Sequence, residues 1–114
     1  MASPYKKMTV TVEAVEPGKL RGQRIVRAKS RRVKVEFDLI EDLLKINEGD
    51  KIVIEFHKSK PSSMDKYLFC GQGYMASKPE DSYTIFSIWG LIFRFEPSIG
   101  LEPETKYYLC VKRA

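Results

Sequence analysis

Alternation with period two dominates the chain. Met8, Val10, Val12 and Ala14 alternate with Thr9, Thr11 and Glu13, and Pro17-Gly18 closes the run with a turn signal. Such spacing belongs to a strand with one face turned inward. Gln23–Lys29 is a weaker strand, because Ile25 and Val26 are flanked by arginine, and Ser30-Arg31-Arg32 then turns the chain. Val33, Val35, Phe37 and Leu39 alternate with Lys34, Glu36 and Asp38, the cleanest half-buried strand of the first half. Glu41–Ile46 predicts one or two helical turns, with Asp38 and Glu41 as a capping box and Gly49 as the stop. Ile52, Ile54 and Phe56 alternate with Lys51, Glu55 and His57. Tyr67–Met75, Tyr83–Phe95 and Lys106–Lys112 complete the strands, the second of them long and bent or bulged at Gly90. About seven strands with little helix and regular turn signals predict an all-β fold, a small antiparallel sandwich or closed barrel. The alternation starts at Met8, so residues 1–7 are expected as a flexible tail and residues 8–114 as one domain.

The chain has 114 residues, 43% apolar and 31% charged, which fits one globular core and excludes disorder throughout. Its longest apolar run, around Phe86–Phe93, is far shorter than the roughly 20 residues that span a bilayer. The first residues carry lysines without a following apolar core, so no secretory signal is expected.

Charge is uneven. Residues 1–40 hold ten Lys/Arg against four Asp/Glu, and the remainder holds ten against eleven, so the excess of +5 comes from the first third. It concentrates in Lys19, Arg21, Arg24, Arg27, Lys29, Arg31, Arg32 and Lys34, an interval without an acid. Three roles fit such a run: a patch that attracts nucleic-acid phosphates, a solvated hairpin, or a basic finger against an acidic protein surface.

No catalytic constellation is legible. Cys70, Cys110 and the sole histidine, His57, are too few for a structural zinc site, and the two thiols are expected to pack as reduced apolar groups. His57 alternates onto the polar side of its strand and is expected at the surface. Gly71-Gln72-Gly73-Tyr74-Met75-Ala76 has dinucleotide-fingerprint spacing, but Ser77-Lys78-Pro79 follows where a helix is required. Gly71 and Gly73 instead share one strand face, where missing side chains let a neighbour approach closely. The paired carboxylates Glu41-Asp42 and Glu80-Asp81 lie beside turns. No cofactor, metal, small-molecule substrate or membrane partner is expected.

Phe86–Phe95 is the most unusual segment. Read as one strand, it places Ser87, Trp89, Leu91, Phe93 and Phe95 on one face and Phe86, Ile88, Gly90, Ile92 and Arg94 on the other. Both sets are largely apolar, whereas a small antiparallel domain turns one face to water. One account is a strand covered by its own core on one side and by a partner protein on the other. The other is burial wholly within its own fold. A single-strand-binding barrel, by contrast, interleaves aromatic and basic residues on exposed faces. The outward positions Lys34, Glu36 and Asp38 do not supply this.

Glu16-Pro17-Gly18-Lys19, Val33–Leu39 and Glu48-Gly49-Asp50-Lys51 resemble the front half of a small RNA polymerase subunit. Tyr67-Leu68-Phe69-Cys70-Gly71, Trp89-Gly90-Leu91-Ile92-Phe93-Arg94-Phe95 and Tyr107–Arg113 extend the resemblance over roughly residues 8–113. Together they resemble the family of archaeal RNA polymerase G subunits, counterpart of the eighth subunit shared by eukaryotic nuclear polymerases. The short Ser59–Lys66 stretch stands where the eukaryotic form carries an acidic insertion, and Trp89-Gly90 where it has two glycines. The resemblance implies an OB-fold-like barrel and a non-catalytic, cytoplasmic subunit seated on the largest polymerase subunit. On that basis Ile88, Trp89, Leu91, Ile92 and Phe93 are expected to supply the partner contact or its immediate support, with Arg94 at the rim. The alternative function is a free-standing OB-fold protein that binds single-stranded nucleic acid.

Overall fold

The computed structural model of the chain describes residues 4–40 and 46–114. Eight strands form, β1 (Lys6–Pro17), β2 (Gln23–Lys29), β3 (Lys34–Ile40), β4 (Lys51–His57), β5 (Phe69–Met75), β6 (Thr84–Ile88), β7 (Leu91–Glu96) and β8 (Lys106–Arg113). They close into one barrel in the order β1-β2-β3-β7-β6-β5-β8-β4, and every pairing is antiparallel. The fold is therefore all-β and OB-like, as expected, and each of the eight strands has a paired neighbour on both sides.

β2 and β4 have the expected bounds, β3 is shifted by one residue, β8 ends one residue later, and three differences are larger. Lys6 and Lys7, expected in the tail, pair with Phe56 and Glu55 of β4. The strand expected over Tyr67–Met75 begins at Phe69. The long strand expected over Tyr83–Phe95 is two strands, β6 and β7, joined by Trp89-Gly90. The short helix expected over Glu41–Ile46 falls on residues 41–45, outside the described residues.

The barrel is filled from the inward rows. Val10, Val12, Val26, Val35, Phe37, Ile52, Ile54, Phe56, Phe86, Ile88, Phe93, Phe95, Leu109 and Val111 are all buried. Each such side chain contributes about 1.5–3 kcal/mol relative to exposure. The Phe56 ring meets Phe86, Phe95 and Tyr107 edge-on, with centroids 5.1, 5.6 and 6.1 Å away. Phe37 stacks on Phe93 at 4.9 Å. β5 turns Gly71 and Gly73 inward, because β6 packs against them. A Cβ at Gly73 would lie 2.1 Å from the Ser87 carbonyl oxygen, and one at Gly71 would lie 2.7 Å from Ile88 Cγ2.

Two expectations fail on the outer side of β4 and β8. His57 is buried, along with Val53 and Glu55 of the same outer row. The connection from β4 to β5 lies over this row, anchored by the Leu68 amide donating to the Val111 carbonyl at 2.7 Å. The cysteines are not separate reduced thiols but form a disulfide. Pairing of β5 with β8 sets Cys70 directly opposite Cys110, with their Cα atoms 4.1 Å apart.

Gly73→Ala is expected to cost about 3 kcal/mol in denaturant unfolding, since backbone obstructs the new methyl. Gly71→Ala is expected to cost about 1 kcal/mol, because only side-chain ends need move. The disulfide spans 40 residues, and loop-closure entropy gives it about 4 kcal/mol of stabilisation. Unfolding with and without reductant measures that difference.

Candidate interaction surface

The β6–β7 hairpin carries the most exposed large apolar residue. Its two-residue turn, Trp89-Gly90, has φ of 48° and 88°, positive at both central positions as a type I′ turn requires. The turn resets the inside–outside parity of the chain. Register pairs Ile88 with Leu91, Ser87 with Ile92, Phe86 with Phe93 and Thr84 with Phe95. Phe86 and Ile88 from one expected face, and Phe93 and Phe95 from the other, therefore all point into the barrel. The segment looks greasy on both faces because a hairpin folds both alternate sets into the same core. A second apolar face hidden by a partner is therefore not needed to explain its composition.

What the hairpin leaves outside is narrower. Trp89 is 92% exposed at the tip, Ile92 is 37% exposed and Leu91 is half-buried. Ile88 and Phe93, each 1% exposed, lie beneath them as support. Tyr74 of β5 stands opposite Ser87, which stands opposite Ile92, so an uncharged Tyr74–Ser87–Ile92 row crosses three strands. Tyr74, 55% exposed, is not among the sequence-derived candidates. Its signal is simple: the inward Gly71 and Gly73 fix Gln72 and Tyr74 as outward. Arg94 lies at the edge of this row, bound to Glu96 at 2.9 Å and stacked over Tyr83 at 4.2 Å.

The basic run does not form one patch. β2 is seven residues long, so its ends lie about 20 Å apart. Lys19 and Arg21 precede it in the β1–β2 connection, with Arg24 near its start, while Arg31 and Arg32 occupy the turn beyond it and Lys34 opens β3. The cations between them face carboxylates. Arg27 bonds Glu36 at 3.1 Å and also pairs with Glu16, and Lys29 pairs with Glu13 at 3.0 Å. The hydrogen bond to Glu36, then the charge of Glu16, raises the Arg27 pKa further. This face of the barrel is an alternating-charge ladder.

Under the β4–β5 connection lies a second polar group, which the sequence does not single out either. Glu55 Oε1 accepts from the Tyr67 hydroxyl at 2.6 Å and from His57 Nε2 at 2.8 Å, and Lys112 Nζ lies 3.2 Å from Oε2. Burial pushes the Glu55 carboxyl up, but the bonds from Tyr67, His57 and Lys112 outweigh it and hold the pKa at about 2. Burial and then the Glu55 carboxylate push the Tyr67 phenol up to about 12. An ionised carboxylate only accepts, so the imidazole proton lies on Nε2.

These elements define a class: a small closed barrel that holds an aromatic hairpin tip in solvent, with no group of three or more metal-ligating side chains among the described residues. The chain belongs to the G-subunit family of DNA-directed RNA polymerase, whose match covers residues 6–114. It is therefore a structural component of the multisubunit polymerase. It is also similar to the DNA-directed RNA polymerase subunit Rpo8 of Saccharolobus solfataricus, with 26% identity over 93% of this chain and 91% of the relative. No helix among the described residues is long and apolar enough to cross a membrane.

Glu55 makes a directional pH prediction. Its folded pKa is about 2 against 4.5 for the free group. The stabilisation is full above 4.5 and is lost as pH falls through that interval, up to about 3 kcal/mol in all. Unfolding free energies measured between pH 6 and 2 are expected to show this loss. Glu55→Gln is expected to be less stable at pH 6 and to lack that part of the acid dependence.

Proposed function

We propose that the chain serves DNA-directed RNA polymerase as a non-catalytic, cytoplasmic structural subunit that docks on the largest subunit through the tip of the β6–β7 hairpin. Trp89 is the anchor, Leu91 and Ile92 extend the contact, and Tyr74 widens it. Ile88 and Phe93 hold the hairpin from inside, and Arg94 stands at the polar rim. The observation that carries this reading is Trp89 itself, 92% exposed in a left-handed turn position. Such positions favour Asn, Asp or Gly, so local turn chemistry does not account for a tryptophan there. Tryptophan is enriched among the few residues that dominate binding energy.

Single-strand binding by a free-standing barrel is disfavoured because the exposed apolar row carries no cation of its own. The Tyr74–Ser87–Ile92 row contains no Lys or Arg, while Arg27 and Lys29 are held by Glu16, Glu36 and Glu13. Of the basic run, Arg31, Arg32 and Lys34 at the β2–β3 turn and Lys19 and Arg21 at the opposite end keep the role of peripheral contacts to nucleic acid or acidic surfaces. The Glu55–His57–Tyr67 group acts as a lock that holds the β4–β5 connection on the barrel, rather than as an acid–base relay.

Three substitutions test the docking reading. Trp89→Ala and Ile92→Glu are expected to leave the isolated chain folded by circular dichroism and to reduce its co-purification with the largest subunit at least tenfold. Ile88→Glu, aimed into the core, is expected to unfold it. Retention of both exposed variants at wild-type levels in the purified polymerase removes the hairpin tip as the anchor.

A further inference from the structure

A cavity of about 270 Å³ lies under the β4–β5 connection, lined by His57, Lys60, Ser62, Ser63, Lys66 and Tyr67 among others. None of the residues lining it is a carboxylate. Its wall combines two cationic side chains with hydroxyl donors, a set suited to an oxyanion.

His57 supplies the feature that separates this cavity from a chance cluster of surface lysines. The residue is only 7% exposed, and its Nε2 is committed to Glu55. The other ring nitrogen, Nδ1, has no partner among the described residues. Among those residues no fully buried side-chain nitrogen or oxygen lacks a partner, so Nδ1 keeps some exposure, and His57 is one of the residues lining this cavity. A nine-tenths-buried imidazole with one unpartnered ring nitrogen thus lines a lysine- and serine-lined cavity.

We propose that this cavity is a phosphate-binding site, taking one phosphoryl group either from free inorganic phosphate or from a nucleic-acid backbone. Lys60 and Lys66 supply the charge, and Ser62 and Ser63 supply directional donors. Protonated, Nδ1 donates to a phosphate oxygen of either ligand; neutral, it accepts the hydroxyl of a hydrogen phosphate, a donor that a backbone phosphodiester lacks. The nearest buried carboxylate is Glu55, whose oxygens are occupied by Tyr67, His57 and Lys112, so its charge is already countered on the far side of the ring. Asp65, in the same connection, is exposed and does not line the cavity. Tyr67 holds the connection in place, its hydroxyl on Glu55 and its ring centroid 5.2 Å from Lys66 Nζ and 5.9 Å from Lys112 Nζ. The site is independent of the hairpin tip and of the docking reading.

His57 is the only histidine in the chain, so its ring signals need no assignment. The test is a nitrogen-15 NMR titration of the full-length chain at constant ionic strength, with inorganic phosphate in one arm, a short oligodeoxynucleotide in the second and chloride as control. The expected result is a saturable shift of the Nδ1 signal in at least one ligand arm, with half-saturation in the millimolar range or below. The responding arm identifies the source of the phosphate. Lys60→Ala combined with Lys66→Ala, two exposed positions, is expected to weaken binding at least tenfold while the thermal melt stays cooperative. Lys60→Ala alone provides a smaller weakening without touching the Tyr67 ring. No shift in either ligand arm, a shift equal to that with chloride, or full binding by the lysine variants overturns the site.

Discussion

The aromatic contact around Phe56 holds the barrel together. Its ring touches residues of β6, β7 and β8 from its own place on β4, so four strands share one centre. Closure requires each strand to give its inward row to that centre, and every other feature follows from which row is given. The β6–β7 hairpin surrenders Phe86, Ile88, Phe93 and Phe95, and can do so only by reversing direction within two residues. Trp89 is what the reversal leaves outside. Its exposure is a consequence of core geometry combined with a side chain that the turn itself does not favour.

That combination separates the stabilising core from the exposed tip in this fold. Inward rows are self-sufficient, since the core is complete without a partner. The outward Tyr74–Ser87–Ile92 row and the tip add little to the fold and leave apolar surface in water. On the opposite side, Arg27 pairs with Glu16 and Glu36 across three strands and Lys29 pairs with Glu13, a surface that stays solvated. The two faces thus differ in kind, although the sequence interval with the highest charge lies on the ion-paired one.

Much of the architecture is legible in the alternation, because a half-buried strand writes its burial directly into every second residue. Val33, Val35, Phe37 and Leu39, and likewise Ile52, Ile54 and Phe56, are buried as their spacing demands, and Gly71 and Gly73 admit the close approach of β6. Three things are hidden, each for a physical reason. The hairpin reads as one strand because Trp-Gly lacks the Asn-Gly or Asp-Gly signature of a type I′ turn. His57 and Glu55 read as exposed because the cover over β4 is a polar connection, which alternation does not register. Cys70 and Cys110 meet through the β5–β8 register, a non-local pairing that spacing alone does not encode. The candidate site is half legible: Trp89 and Ile92 lie outside, Ile88 and Phe93 lie in the core, and Tyr74, outward by its alternation with Gly71 and Gly73, joins the row only through the register.

The central claim is that Trp89 is free in the isolated chain and covered in the assembled enzyme. Hydroxyl-radical footprinting with mass spectrometry, run in parallel on the isolated chain and on purified polymerase, measures this at the single residue. Rapid oxidation of Trp89 is predicted in the isolated chain, with at least severalfold protection in the polymerase. Equal oxidation in the two samples would contradict the claim.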